Sequence, residues 1–304
     1  MNKRTLVLSF AASWLFCSPL EAQEAKVPDA IKKAEAVLIQ KPDDPDANTT
    51  VGKYLLEKGD LEMALPFLAK GKDDVFRKLL EHEAKELKSG PELIGMGDEW
   101  SALLKRYPKG RTALLDRAGM FWAKGWPLLD EFWRKTSREN LSRIYVGQAG
   151  AGAAKPLSPG GWNAEKVALS GERVHSGAFA ARLPMPKGNE GNFHQPLKLE
   201  LPIPAGTKSL EVSAWVLADG TDNVNDDMKP SVSGAGGKLL SATGTPIPMD
   251  LPVWTRVSQT VSCEGALKLS LVFEFQSRKG CVFIDDVDIR VDGKSIFTNG
   301  GFEK

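Results

Sequence analysis

Two adjacent carboxylates, Asp285 and Asp286, stand in the run GCVFIDDVDIRV that closes most of the chain. The run alternates with a period of two, so Phe283, Val287, Ile289 and Val291 share one face, and Asp285 falls on that same inward parity. A carboxylate on an apolar face requires a cation or a ring of donors, because burying it unpaired costs several kcal/mol. A second oxygen-rich stretch, ADGTDNVNDDMKP (218–230), places side-chain oxygens at alternating positions. Val224 stands where an EF-hand loop needs glycine and Pro230 where it needs glutamate, so the stretch reads as a solvated turn.

Candidates for catalysis are sparse. Of three histidines, His82 lies in a charged helical pattern and His175 in an HSG turn, both structural positions, while His194 is isolated between Phe193 and Gln195. Neither HExxH nor GxSxG occurs. A glycosidase needs two carboxylates flanking a cleft, and acidic residues are too numerous here for sequence to single out a pair. No catalytic domain is apparent, and the reading is non-enzymatic.

The elements that must position these groups follow from length and texture. At 304 residues the chain can bury two cores, and a net charge of +1 gives no footprint for nucleic acid or anionic lipid. Residues 1–22, MNKRTLVLSFAASWLFCSPLEA, read as a secretory signal: Lys3 and Arg4, an apolar stretch from Leu6 to Phe16, and Ala22 before the cut. No later stretch approaches ~18 apolar residues, so no membrane span is expected. The protein is therefore expected to be exported, and to be periplasmic, on the cell surface or extracellular. Cys263 and Cys281 would lie at opposite ends of an intervening strand, roughly 25–30 Å apart at ~3.3 Å per residue, too far for a disulfide.

Residues 23–146 carry helical periodicity. Helices are expected at 28–42, as a pair within 42–74 about a Gly-Asp turn at 59–60, and near 75–88, 91–106, 110–125 and 127–145. Val51, Gly52 and Leu55 with Ala64, Leu68 and Gly71 fall near the tetratricopeptide spacing, and Gly52 and Ala64 would let two helices approach closely. Trp100, Trp122, Trp126, Phe132 and Trp133 recur at helical spacing and read as core packing. The pieces VGKYLLEKGDLEMALPFLAKGKDD, GDEW and DRAGMFWAKGWPLL resemble a tetratricopeptide-like helical module. That resemblance implies a scaffold, a possible protein partner and no catalytic residues. The stretch 147–161, rich in Gly, Ala and Pro, reads as a tether and domain boundary.

From 162 to 304 short β-branched runs alternate with Gly, Pro, Asn and Asp, which points to an antiparallel sandwich or jelly roll. The fold class is thus a multidomain α and β chain, an all-α repeat-like domain followed by the sandwich. Leu210, Val212, Ala214 and Val216 face inward, leaving Glu211, Ser213 and Trp215 outside; on 267–276 the outer face includes Glu274 and Gln276. Trp215, a large aromatic on a polar sheet face, is the informative exception. ERVHSGAFAARL, SLEVSAWVLADG, PVWTRVSQTV and GCVFIDDVDIRV resemble the carbohydrate-binding jelly-roll modules attached to bacterial cellulases and xylanases. The resemblance implies a polysaccharide ligand, with Trp215 for sugar stacking and Glu211, Ser213, Glu274, Gln276 and His194 as polar neighbours. It also implies a structural calcium near the last strand, held by Asp285. The motif NGGFE, usual at the start of that family, here ends the chain (299–303), so Glu303 would share the calcium if this tail fills the first-strand position; a frayed tail is the other reading. The function expected is an exported, non-catalytic glycan-binding protein. Its rivals are an envelope interaction protein using the helices as receptor, and a polysaccharide hydrolase.

Overall fold

The computed structural model describes residues 27–147, 150, 152, 154–156, 162–164, 167–184, 197–222, 226–275, 279–297 and 301–302. His194, Gln276, Glu303 and the leader lie outside them. Seven α-helices come first: α1 Asp29–Gln40, α2 Pro45–Glu57, α3 Leu61–Lys70, α4 Asp74–Glu83, α5 Gly90–Ala102, α6 Arg111–Gly125 and α7 Glu131–Ile144. None of the described helices is long and apolar enough to cross a membrane.

The chain divides into two compact units, and the division does not fall at 147–161. One unit runs to Leu55 and includes Glu62–Arg77; the other holds Leu56–Leu61 and everything from Lys78 onward. In the first, Ala34, Ala47 and Val51 form a small core with Leu38, Leu55 and Phe67 against it. Gly52 is required there, since a Cβ would meet Leu68 at 2.9 Å, and Thr49 ties the next turn by accepting the Lys72 N–H at 2.9 Å. In the second, α5 opens on a capping box between Ser89 and Glu92, with proline just inside. Trp100, Trp122 and Trp126 are buried as expected, but Phe132 and Trp133 are 72% and 41% exposed. Those two sit on the first turn of α7, which begins at an Asp130 cap, and they point away from the packed side.

The second unit continues into two antiparallel sheets. Sheet one contains β1 Ala154–Pro156, β3 Ala168–Ser170, β4 Ala180–Pro184, β12 Cys281–Val291, β6 Ser209–Asp219 and β10 Leu251–Ser262 in that order, with β13 Lys294–Ser295 paired to β12. Sheet two contains β2 Trp162–Ala164, β5 Leu197–Pro202, β11 Lys268–Glu274, β7 Asp227–Ser233 and β8 Leu239–Ala242, with β9 Thr245–Pro246 on β7. Leu210, Val212, Ala214 and Val216 from the first sheet meet Leu197, Leu199, Leu269, Leu271 and Phe273 from the second in one core. The expected two-sheet sandwich is what the chain builds. The presumed tether is not wholly one: β1 lies inside it and pairs with β3, and Gly147 donates to the Gly171 carbonyl at 2.9 Å. The tail's Phe302 is 1% exposed and packs on Trp162 with ring centroids 5.2 Å apart, so an aromatic anchor holds it in the sandwich core. Cys263 and Cys281 are both unpaired.

Candidate functional site

The last long strand changes face halfway along. Val282 and Ile284 point into the sandwich, and so do Val287 and Ile289, which period two would not allow without an interruption. The interruption is a bulge between Asp285 and Asp288, with Asp286 at a positive φ of 44°. Phe283 and Asp285 therefore face outward on sheet one, beside Leu217 and Trp215 in register, and the expectation that they share the inner face with Val287 and Ile289 is corrected.

Outward does not mean exposed. Asp285 is fully buried, and its carboxylate accepts from the backbone N–H groups of His175 (2.9 Å), Ser176 (3.2 Å) and Asp286 (2.8 Å). Burial and, behind it, the Asp286 charge hold this carboxyl well above its usual range, while backbone donors pull it back. Both oxygens are thus engaged by N–H donors, where a calcium would need further oxygen ligands. No group of three or more His, Cys, Asp and Glu suited to a metal occurs among the described residues. The residues around Asp285 do not fit the calcium that the family resemblance implied.

The HSG turn folded over Asp285 presents His175 between two more carboxylates. Nδ1 lies 2.7 Å from Asp286 and Nε2 2.7 Å from Asp116 on α6, and the ring stacks on Trp215 at 3.9 Å and 16°. Trp254 meets the same ring edge-on at 5.9 Å. Burial would lower the imidazole's basicity, but hydrogen bonds to Asp116 and Asp286 outweigh it and raise the value to about 9. With an acceptor at each nitrogen, only the doubly protonated ring can donate to both.

Around this clamp the helices cover one end of sheet one's outer face. Val174 N–H donates to the Tyr145 carbonyl at 2.8 Å, and the Trp126 indole N–H to the Asp250 carbonyl at 2.8 Å. Arg138 on α7 bridges Asp219 and Asp250, and Arg173 donates to the Ser142 carbonyl at 3.0 Å and reaches Asp219. Leu217, Val253, Trp254 and Phe283 are buried yet stand outside the sandwich core. Gly119 of α6 faces Val253 and Trp254, at 3.6 and 3.7 Å from the position a Cβ would take. Trp215, half-buried, consequently has one ring face occupied by His175, which leaves at most its other face for a ligand.

The other end of that face is open and polar. Arg256 donates to Glu211 and to Ser213, both at 3.2 Å, and Arg290 pairs with Asp288. Ser258 and Thr260, exposed on β10, complete the strip, lying opposite Ser213 and Glu211 on β6. Glu274 is elsewhere: it points from the outer face of sheet two, where Lys229 pairs with it, on the far side of the sandwich from Glu211 and Ser213. The expected ligand set is therefore split by the core. Arg256, Ser258, Asp288 and Arg290 are the neighbours of Glu211 and Ser213, and sequence reasoning missed them; alternation along TRVSQTV is a signal that could have put the first two on the outer face, but not one that names their strand partners.

This geometry can be set beside known proteins. No protein-family model and no curated protein matches the chain. Solved structures similar to its C-terminal part include carbohydrate-binding modules. One is a family 16 carbohydrate-binding module (TM-score 0.35, 10% identity, 48% of this chain and 99% of that one). Another is the CBM22-1 xylan-binding domain from Paenibacillus barcinonensis Xyn10C (0.32, 18%, 46% and 92%). The enzymatically active domain of tailspike protein 4 from bacteriophage CBA120 also matches (0.37, 13%, 44% of this chain), and this chain spans only 20% of that one. At these scores and identities none of them bears on the ligand.

Proposed function

We propose that the protein is an exported, non-catalytic glycan-binding protein whose ligand lies on the open end of sheet one's outer face. The observation that carries this reading is the strip of Glu211, Ser213, Arg256, Ser258, Thr260, Asp288 and Arg290. There, donors and acceptors from three neighbouring strands, exposed at Arg256, Ser258, Thr260 and Arg290 and half-buried at Glu211 and Asp288, stand around the buried Ser213 on one sheet face, as orientation of a polyhydroxylated ligand requires. Affinity electrophoresis against a panel of soluble polysaccharides tests the proposal. Retardation by at least one polymer should be lost in Arg256→Ala and kept in Glu274→Ala. Retardation by none, or equal retardation of all variants, would overturn it.

A second reading, docking of a protein partner through the helices, is favoured by the exposed side chains of Leu128, Phe132 and Trp133. It predicts a complex abolished by Phe132→Ser with Trp133→Ser and indifferent to Arg256→Ala.

A further inference from the structure

Charge on the strip is matched side chain by side chain. The Arg256 guanidinium, 47% exposed, lies 3.2 Å from Glu211, itself 44% exposed, on the neighbouring strand. Arg290 is paired within its own strand to Asp288, and in register Arg290 stands opposite Glu211. Each cation is thus bounded by a carboxylate, and each carboxylate already has its cation. The remaining groups, Ser213, Ser258 and Thr260, are neutral hydroxyls.

From this pairing we propose that the strip selects uncharged glycans and rejects those bearing uronate or sulfate groups; the inference rests on the glycan-binding reading above. An anionic sugar would have to displace Glu211 from Arg256, or Asp288 from Arg290, and then sit beside the carboxylate it displaced. Like-charge juxtaposition of that kind is strongly unfavourable and is a common means of rejecting wrong partners. A neutral diol meets no such conflict. One hydroxyl donates to a carboxylate oxygen that still has lone pairs to spare, and a sugar oxygen accepts from a guanidinium N–H not used in the pair. Because no net charge is exchanged, binding should also be almost independent of ionic strength.

The test compares the full-length protein on a neutral galactan or xylan, on polygalacturonate and on dextran sulfate, at low and at physiological salt. Wild type should be retarded by a neutral polymer, with the retardation unchanged by salt, and by neither anionic polymer. Glu211→Gln with Asp288→Asn, which leaves the two arginines uncompensated, should gain retardation by polygalacturonate of at least about tenfold, abolished by salt. The same change on the opposite face, Glu274→Gln, should gain nothing. Wild-type binding to an anionic polymer, or absence of any gain in the double variant, would overturn the charge selectivity while leaving glycan binding in place. Failure of every polymer to bind wild type would overturn both.

Discussion

Deprotonating His175 should loosen the unit that joins α5–α7 to the sandwich. The imidazole lies 2.7 Å from Asp116 on the helical side and 2.7 Å from Asp286 on the sheet, so it bridges the two only while both nitrogens carry protons. Its value in the folded protein, about 9, lies above the ordinary 6.5. A group raised in this way contributes stability that is complete below pH 6.5 and is lost as pH climbs through about 9. The gap between the two values corresponds to about 3 kcal/mol. For a body of this size that means a fall in melting temperature of about 6–12 °C. Other groups titrate at alkaline pH, so the informative quantity is the difference between wild type and His175→Gln. Followed by thermal or urea unfolding, it should narrow by about 3 kcal/mol between pH 6.5 and about pH 10. A difference that stays constant with pH, or an NMR titration placing His175 near its ordinary value, would refute the clamp.

Three further outcomes follow from the same packing. Expression of residues 147–304 alone removes the helical cover from Leu217, Val253, Trp254 and Phe283, and should give an aggregating, dye-binding product, whereas 78–304 should unfold in a single transition. Gly97→Ala drives a methyl group into the Trp122 indole, which is itself held by Asp98 at 3.0 Å; calorimetry should record a loss of about 2 kcal/mol or more. Chelation with EDTA should leave the melting temperature unchanged, because Asp285 is satisfied by backbone N–H groups, and a fall would show that a bound ion stabilises the fold.

How far this could be read from residues alone depends on whether a local rule was being obeyed. The sandwich was legible because β6 and β11 alternate cleanly, so their inward sets could be named one by one. The face of Asp285 was not, because a bulge flips the parity of everything beyond it, and nothing in FIDDVDI announces one. β7 was hidden by Pro230 and Asp227, residue types that argue against a paired strand, although Met228 and Val232 alternate inward as a strand should. Trp126 and Trp133 looked alike by spacing. Only the turn at residues 126–128 and the Asp130 cap separate the buried one from the exposed one. The helix–sheet contact around His175 lies furthest from any sequence signal: Asp116 and His175 are 59 residues apart, and no spacing rule links them. Composition likewise suggested a break at 147–161, whereas the packing boundary is set by which helix faces find a partner: α6 and α7 find theirs on the sheet, and α5 finds its on α6.

Mapping amide chemical shifts of the isotopically labelled protein as a neutral polysaccharide fragment is added tests the central claim most directly. The account predicts that the perturbed amides cluster at Glu211, Ser213, Arg256, Ser258, Thr260, Asp288 and Arg290. Perturbations confined to the outer face of β7 and β11, or to the exposed start of α7 at Phe132 and Trp133, would contradict it.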